Sequence, residues 1–315
     1  MKAVRFAQYG DPDVLQLQEA PDPIPGPEDV LVEIKATTVN RLDLFQRNGS
    51  RPVGKLPFTP GLEAAGIVVH DAHDFRAGEH VLTTHALTAK GGGGYASNIA
   101  VPATDLVRIP AGVSFEQAVA AGLAASTAWS SLFDLGHLQA GERVLIWAGS
   151  SGVGTLAIQL AKHFGAWVAT TASNDERAET LRKLGADEVI NYRQQDLGKT
   201  LQEKGGVNLV IELVSGNLQA SIDACAPYGR IILVGNLGGQ QATVDTQAWR
   251  LKRVSITGGG IVQASTASEQ QIMQLIAEKV ITPMIAKTFP IEQAAQAHRL
   301  LASGEPQGKI VLLHS

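Results

Sequence analysis

Residues 143–166 read RVLIWAGSSGVGTLAIQLAKHFGA, and this stretch decides the fold. Residues 143–148 form a short apolar run suited to a central parallel strand. Residues 149–154 form a glycine-rich turn, and apolar residues then recur at helical spacing until Gly165. Such a turn directs backbone N–H groups, at the positive end of a helix dipole, into a concavity that suits a pyrophosphate. The sequence therefore predicts a dinucleotide site.

The turn departs from the dinucleotide-binding fingerprint G-x-G-x-x-G at the second glycine. Gly149 and Gly154 match the pattern, but Ser151 stands between them. A strand–helix turn without a ligand is the alternative interpretation. The subsequent residues favour the dinucleotide, because predicted strands and helices alternate over 167–172, 175–184, 188–192, 196–204, 207–212, 217–226 and 230–235. This alternation predicts an α/β fold with a doubly wound parallel sheet of the Rossmann type.

Length and composition limit the class of protein. A chain of 315 residues, 44% of them hydrophobic, predicts two domains. With a net charge of −4 and no long run of one sign, the sequence has no basic cluster that would bind nucleic acid. There is no apolar run of about 18 residues and no signal-like N-terminus, so we expect a soluble cytoplasmic protein without a membrane partner. The single cysteine, Cys225, excludes an intrachain disulfide and a cysteine-cluster metal site.

The N-terminal third differs from the middle of the chain. Up to about residue 115, short β-like runs are separated by proline and glycine clusters, which predicts a mostly antiparallel, barrel-like β domain. An alanine-rich helical stretch at 115–135 begins the βαβ region, which ends near a strand at 254–258. The tail holds a helix at 268–280, whose start carries a Ser268…Gln271 capping pattern, a second helix at 291–303 and a strand at 309–313.

Eight short segments, in this order, resemble one family over almost the whole chain. They are VNRLD at 39–43, PGLEAAG at 60–66, GGYA at 93–96, GLAASTAW at 122–129, the turn and helix at 148–162, INY at 190–192, GRIILVG at 229–235 and GKIVL at 308–312. The family is the zinc-independent branch of the medium-chain dehydrogenases/reductases, the quinone oxidoreductase or zeta-crystallin-like enzymes.

The resemblance implies a domain organisation and an assembly. Residues 1–117 together with 263–315 would form a GroES-like β-barrel domain that carries the substrate, and residues 118–262 would form the inserted Rossmann domain. In the family an edge of the Rossmann sheet pairs two subunits, so we expect a homodimer.

The resemblance also implies that there is no metal. Zinc-dependent relatives place Cys, His and Cys at three of these motifs, because a catalytic zinc needs three nitrogen or sulfur ligands. The corresponding residues here are Asn40, Leu62 and Leu123, which cannot hold zinc. The pair His70…His73, flanked by acidic residues, is a weaker metal candidate, and a solvated turn is the favoured interpretation.

NADPH is the predicted cofactor. An NAD site usually has an acidic residue at the end of the second strand, and Ser173 occupies that position here. Arg177, one helical turn further, can pair with a 2′-phosphate, and Tyr192 matches a family tyrosine that reaches the same group. In the alternative interpretation Arg177 is solvated and Asp175 binds the ribose of NAD.

Further cofactor contacts are expected from motif positions. We expect Thr127 near the nicotinamide and phosphates, and Asn40 is also expected to contact the cofactor. The remaining residues fall in three groups, which would line the pyrophosphate, follow the fifth strand and meet the carboxamide. In that order they are Ser150, Ser151, Gly152 and Val153; Gly235 and Asn236; and Gly260, Ile261 and Val262. A plain hinge or edge loop is the alternative interpretation of the glycine run at 258–260.

A site without zinc favours an acceptor that needs no strong Lewis acid, such as a quinone or an α,β-unsaturated carbonyl compound. Asn40 is the candidate hydrogen-bond donor to the acceptor oxygen, or else a loop amide that satisfies nearby backbone. We expect Asp43 to orient this loop. Many relatives have a tyrosine where this chain has Phe45, and Tyr95 is a possible catalytic substitute, although it could simply pack.

Phe45, Leu62 and Leu123 predict a hydrophobic substrate cleft and therefore a small hydrophobic electron acceptor. The predicted function is an NADPH-dependent quinone or enone reductase. A trans-acting enoyl-thioester reductase is an alternative, but the sequence lacks a basic cluster for a phosphorylated carrier. A non-catalytic NADPH-binding protein is another, since relatives include lens crystallins and RNA-binding forms.

Overall fold

The computed structural model describes residues 1–84, 87, 92–260 and 264–314. It divides into two compact units, which we call unit 1 (Met1–Leu123 with Ser265–Ser315) and unit 2 (Ala124–Ala264). The first boundary lies at residue 123, whereas the sequence analysis placed it at 117. Both positions fall within one helix, Phe115–Trp129, along which the chain passes from unit 1 to unit 2.

The described strands and helices are numbered here in chain order. The strands are β1 (Lys2–Arg5), β2 (Gln16–Glu19), β3 (Asp29–Val39), β4 (Ala64–Val68), β5 (His80–Thr83), β6 (Asn98–Pro102), β7 (Leu106–Arg108), β8 (Arg143–Ile146), β9 (Trp167–Ala172), β10 (Glu188–Asn191), β11 (Val207–Glu212), β12 (Cys225–Leu233), β13 (Ser255–Gly258), β14 (Ile285–Pro290) and β15 (Lys309–Leu313). The helices are α1 (Arg41–Asn48), α2 (Phe115–Trp129), α3 (Gly152–His163), α4 (Asp175–Lys183), α5 (Leu197–Gln202), α6 (Leu218–Ala224), α7 (Thr246–Lys252), α8 (Thr266–Ala277) and α9 (Ala294–Ser303).

Unit 1 is built on a sheet with the order β14-β15-β3-β4-β5-β7, and β6 also pairs with β3. Its pairs are antiparallel except β14 with β15. The long strand β3 alternates buried and half-buried residues, with Val30, Val32 and Ile34 in the core, as expected for a strand with one face packed. The predicted mostly antiparallel β domain is therefore confirmed.

Unit 2 contains a six-stranded, fully parallel sheet with the order β10-β9-β8-β11-β12-β13. Val144, Leu145, Ile146, Leu209 and Val210 are completely buried, which explains the near-continuous apolar runs of β8 and β11. The strand order reverses between β8 and β11, the switch point at which such sheets bind ligands beyond their carboxyl ends. The predicted parallel Rossmann sheet is confirmed.

Several helix boundaries differ from the prediction, and hydroxyl groups account for two of these differences. The α2 helix ends at Trp129, and the next residues form a wider π-helical turn, Ser130–Asp134. There the Ser131 hydroxyl donates to the Thr127 carbonyl (2.7 Å), a side-chain bond that competes with helical backbone pairing. Helix α8 begins at Thr266, because the hydroxyl of Ser265, rather than that of Ser268, caps it.

No helix in the described part of the chain has the length and apolar character needed to cross a membrane.

Candidate functional site

The glycine-rich turn of unit 2 connects β8 to α3. Ala148 has a positive φ of 51°, and its carbonyl accepts the Ser151 N–H at 2.9 Å. The Ser151 hydroxyl accepts the Gly154 N–H at 3.0 Å and so caps the helix. The N–H groups of Gly152 and Val153, at the first two helical positions, belong to those that a helix leaves without an intrahelical partner. The turn is therefore suited to accept an anion.

The packing explains which glycines of the fingerprint are required. A Cβ at Gly149 would lie 2.1 Å from Thr170 Oγ1, and a Cβ at Gly154 would lie 2.4 Å from the Ala148 carbonyl oxygen. At the middle position Ser151 is partly exposed and uses its side chain as the helix cap. The departure from the fingerprint therefore replaces a glycine with a capping residue and keeps both close approaches.

The predicted 2′-phosphate residues follow adjacent strand ends. Asn191 of β10 pairs in register with Ala172 of β9, so Tyr192 and Ser173 come next on neighbouring strands. The Tyr192 N–H donates to the Ala172 carbonyl at 3.3 Å, and its side chain is 48% exposed. The structure thus brings the phenol and the serine to one edge of the sheet.

Arg177 links this edge to the glycine-rich turn. It lies in the first turn of α4, where its N–H donates to the capping Asn174 side chain at 2.9 Å. Its guanidinium Nη1 donates to Ser150 Oγ at 3.2 Å. A cation therefore lies beside the turn, in the position expected of a group that pairs with a cofactor phosphate.

The other predicted cofactor residues are distributed around the sheet. The Gly235 N–H donates to the Glu212 carbonyl at 3.3 Å, and a Cβ there would lie 2.1 Å from the Leu213 carbonyl oxygen. Asn236 and Gly260 are exposed, whereas Thr127 is 8% exposed within α2. Ile261 and Val262 lie outside the described residues.

Glu212 at the end of β11 was missed by the sequence analysis. Its fully buried carboxylate accepts the N–H groups of Val214 (3.0 Å) and Ser215 (2.9 Å) and the hydroxyl of Ser221 (2.7 Å). Trp147 Nε1 donates to the same hydroxyl at 2.8 Å. Burial raises the pKa of Glu212, and these hydrogen bonds partly oppose that rise. Glu212 therefore connects the segments that follow β8 and β11. The sequence signal that could have indicated Glu212 is an acidic residue at the end of an apolar strand.

Unit 1 contains a buried polar group that we call the Glu63 cluster. It consists of Thr38, Asn40, Glu63, Lys309 and the Leu123 N–H. The Glu63 carboxylate accepts hydrogen bonds from Thr38 Oγ1, from Asn40 Nδ2 (3.0 Å), from Lys309 Nζ (2.8 Å) and from the Leu123 N–H. Lys309 Nζ also donates to Asn40 Oδ1 at 2.7 Å. Glu63 is 1% exposed and Lys309 is 6% exposed.

The charges of the Glu63 cluster stabilise one another. Burial by itself raises the pKa of the Glu63 carboxyl. The Lys309 ammonium and the hydrogen bonds from Lys309, Thr38 and Asn40 together lower this pKa by more than burial raises it, so that it lies below its ordinary value. The carboxylate is therefore ionised at neutral pH despite its burial.

Asp43 has the geometry of a residue that orients the loop. Its two oxygens accept the N–H groups of Asn40 (2.7 Å) and Gly61 (2.9 Å), and the side chain is completely buried. Burial raises its pKa to about 7, against the lowering effect of these two bonds. This arrangement supports the orienting role that the sequence analysis gave to Asp43.

The structure argues against the catalytic role predicted for Tyr95. It is fully buried in an apolar cluster with Phe6, Leu44 and Phe289, and its hydroxyl forms a hydrogen bond of 3.0 Å with Nε2 of the equally buried His298. A phenol with no exposed surface cannot meet an acceptor, so the structure argues against the catalytic role and supports packing.

The three predicted substrate residues differ in exposure. Phe45 and Leu123 are partly exposed and remain candidates for an apolar contact. Leu62 is 1% exposed, because it packs just before β4, so the predicted substrate contact of Leu62 is not supported.

The motif positions of the zinc ligands in the relatives and the loop with His70 and His73 each make contacts of their own. At the motif positions Asn40, Leu62 and Leu123, the polar contacts are those of the Glu63 cluster, and its cation is the Lys309 ammonium. The loop with His70 and His73 forms a tight turn, in which His73 has a positive φ of 53°. Within residues 1–84, 87, 92–260 and 264–314, no three His, Cys, Asp or Glu side chains form a group that could hold a metal ion.

Glu63 and Lys309 are the charged members of the Glu63 cluster, and sequence reasoning missed both. Glu63 lies in the motif PGLEAAG and Lys309 in the motif GKIVL, and each is a charged residue in an otherwise apolar segment. That pattern was the available signal, because a buried charge requires a partner.

Comparisons with known proteins agree with this architecture. A family model described as "Alcohol dehydrogenase GroES-like domain" matches residues 26–111, and one described as "Zinc-binding dehydrogenase" matches residues 184–312. The quinone oxidoreductase of Sus scrofa is 33% identical, over 99% of this chain and 98% of that protein. A 2-haloacrylate reductase of a Burkholderia species is 30% identical, over 96% of each. The crystal structure of Escherichia coli quinone oxidoreductase complexed with NADPH is 29% identical, with a TM-score of 0.90 over 99% of this chain and all of that one.

The fold and these matches define an oxidoreductase of the medium-chain dehydrogenase/reductase superfamily. Within that superfamily, the chain belongs to the quinone oxidoreductase family.

The residues present do not fit the zinc that one family description names. A zinc site needs three nitrogen, sulfur or carboxylate ligands with free lone pairs. Leu62 and Leu123 have no side-chain atom that can bind a metal, and the Asn40 oxygen already accepts a hydrogen bond from the Lys309 ammonium. No catalytic step is therefore assigned to zinc.

The close packing at Gly149 predicts a stability effect. In Gly149→Ala the methyl group would overlap Thr170 Oγ1, so the free energy of unfolding should fall by about 1–3 kcal/mol in urea titrations. The matched control is Gly54→Ala in unit 1, whose methyl group meets no described atom within 4 Å. Equal stability of the two variants would contradict this packing.

Proposed function

We propose that this protein is an NADPH-dependent oxidoreductase that transfers hydride to a quinone or an α,β-unsaturated carbonyl compound without a metal. One observation carries the proposal: the Asn40 amide lies in a polar cluster whose cation is a lysine ammonium, at the motif where zinc-dependent relatives place a metal ligand. An amide donor suits acceptors whose electrons spread over a conjugated system and end on oxygen.

The cofactor preference rests on the charge beside the glycine-rich turn. Ser173 at the end of β9 does not repel a 2′-phosphate, and the Arg177 guanidinium, 3.2 Å from Ser150 Oγ, supplies a cation. The partly exposed turn, with its helix N-terminus and two glycines that permit its tight internal packing, fits a pyrophosphate. Crystal structures of two relatives, from E. coli and from a mycobacterium, contain NADPH.

In the proposed reaction the dihydronicotinamide supplies the hydride when it is bound. The Asn40 amide would donate a hydrogen bond to the acceptor oxygen, where negative charge develops, and the resulting anion would take its proton from solvent. Asp43 holds the backbone of Asn40 in place through the 2.7 Å bond to its N–H. The partly exposed Phe45 and Leu123 provide apolar contacts for the acceptor and exclude water.

A panel of acceptors tests this function. We expect NADPH oxidation with quinones, with alkenals and other enones, or with both. The 2-haloacrylate reductase among the relatives suggests including 2-haloacrylates, and enoyl thioesters test the alternative acceptor class. Tight NADPH binding without turnover of any of these compounds would contradict the proposed function and favour a non-catalytic NADPH-binding protein.

Arg177 provides a test of the cofactor preference. In Arg177→Ala the KM for NADPH should rise about tenfold or more, while the KM for NADH changes little, because only NADPH carries the 2′-phosphate. Arg182→Ala, on the exposed part of the same helix, is the matched control. Equal effects of Arg177→Ala on both cofactors would instead indicate that Asp175 binds the ribose and that Arg177 is solvated.

We also propose that two copies pair through β13. In the described sheet β13 has β12 on one side, and three of its four residues are exposed. An unpaired strand edge of this kind readily pairs with another chain. The exposed Tyr228 and Leu251 lie on β12 and α7, the elements that precede β13, and add apolar surface.

Light scattering after gel filtration tests the assembly. We expect a dimer for the parent protein and a shift towards monomer for Thr257→Lys, which brings like charges together across the paired edges. Glu203→Gln makes the same change in net charge outside the strand and should remain dimeric. A parent protein that is monomeric at micromolar concentration would refute the proposed pairing.

A further inference from the structure

Charged groups hold both ends of the Asn40 amide. Lys309 Nζ donates to Oδ1 at 2.7 Å, and Nδ2 donates to Glu63 Oε1 at 3.0 Å. An amide turned by 180° would place its oxygen against the carboxylate and its NH2 group against the ammonium, so both contacts would become repulsive. The ion pair therefore permits one orientation of the amide.

Strand pairing determines where Lys309 lies. In the antiparallel pair of β15 and β3, Ile310 is opposite Val39, so Lys309 and Asn40 are the next neighbours along the two chains. Gly308, with a φ of +89°, fixes the preceding backbone, where a Cβ would lie 2.2 Å from the Met284 carbonyl oxygen. The ammonium is therefore delivered to the amide by backbone geometry, and its burial leaves little water to screen it.

One N–H of Asn40 can be shared with a ligand. Besides the bond to Glu63, Nδ2 donates to Thr38 Oγ1 at 3.2 Å, which is the longer of its two contacts and has a neutral acceptor. The ammonium on Oδ1 also polarises the amide and strengthens its N–H groups as donors. An acceptor oxygen would therefore compete with the Thr38 hydroxyl, while the bond to Glu63 keeps the amide in place.

We propose that Lys309 is a positioning residue for the reduction: with Glu63 it holds the Asn40 amide so that its NH2 group faces the acceptor oxygen. This inference rests on the proposed function, because it assigns the partner of the donor that the reaction requires. A purely structural role for the ion pair is the competing explanation, and the two explanations predict different turnover when both charges are removed.

A charge-deletion series separates the two explanations. In Lys309→Met the carboxylate is left buried without its counter-ion, so both stability and turnover should fall. In the double variant Lys309→Met/Glu63→Gln no charge is stranded, so the thermal midpoint should recover towards that of the parent protein. The kcat should remain about tenfold or more below that of the parent, because no charged group then orients the amide.

Three further measurements sharpen the series. The Kd for NADPH, from fluorescence titration, should stay within about twofold in both variants, because the defect concerns the acceptor. Lys309→Arg, which keeps a cation, should restore part of the lost kcat. Lys35→Met, which removes an ammonium from a half-exposed ion pair with Glu33 on β3, is the matched control and should leave kcat unchanged.

The pH profile gives a readout that a structural role would not move. Without the ammonium, burial raises the pKa of Glu63, so the kcat of Lys309→Met should rise with pH as the carboxylate ionises, and the double variant should lack this dependence. Asp43 and Tyr95 also interact electrostatically with Glu63 and are retained in both variants, so the Glu63 carboxyl is the titratable group by which the two variants differ.

The outcomes test the positioning role of Lys309 separately from the proposed function. Recovery of kcat together with stability in the double variant, or a parent-like kcat in Lys309→Met, would overturn the positioning role. If the parent protein reduces no acceptor, the proposed function fails, and NMR of the Asn40 side-chain amide then tests the orientation. We expect its two N–H signals to change on Lys309→Met, and unchanged signals would overturn the inference.

Discussion

The arrangement of unit 1 depends on a buried ion pair between Glu63 and Lys309. Two charges removed from water require hydrogen bonds that satisfy them, and here the carboxylate has four donors. Leaving either charge without its partner would destabilise the fold by about 3–5 kcal/mol. The pair therefore fixes the end of β3, the start of β4 and the start of β15 relative to one another, and Asn40 is oriented as a consequence.

Unit 2 depends on a different constraint, which is close backbone approach around a helix N-terminus. Gly149 and Gly154 allow the chain to turn sharply beneath α3, and Ser151 caps the helix. Glu212 performs a related task at the neighbouring strand end, where its buried carboxylate accepts backbone N–H groups from the next segment. Both devices order backbone at the carboxyl end of the parallel sheet, where α/β folds bind nucleotides.

The sequence predicted most of the fold because its signals are local. Apolar runs, glycine stops and the alternation of strands and helices gave the parallel sheet, whereas hydroxyl groups at Ser131 and Ser265 shifted helix ends that periodicity alone could not place. The residues proposed to bind the 2′-phosphate were also accessible to prediction, since Ser173, Arg177 and Tyr192 lie at consecutive strand and helix ends.

The polar core of unit 1 could not be predicted in the same way. Glu63 and Lys309 are 246 residues apart, and only the pairing of β15 with β3 brings them together. Tyr95 failed as a catalytic candidate for a related reason: its burial against His298, which is 203 residues distant, depends on long-range packing. Motif positions indicate that a residue matters, but its partner is set by the tertiary fold.

We propose above all that an amide held by a carboxylate–ammonium pair replaces a metal at this site. The most direct measurement is turnover of an enone by protein dialysed against a strong chelator, with the metal content determined on the same sample. We expect undiminished turnover at a metal content far below one ion per chain. Loss of turnover with the metal, and its return on addition of Zn²⁺ alone, would contradict this replacement.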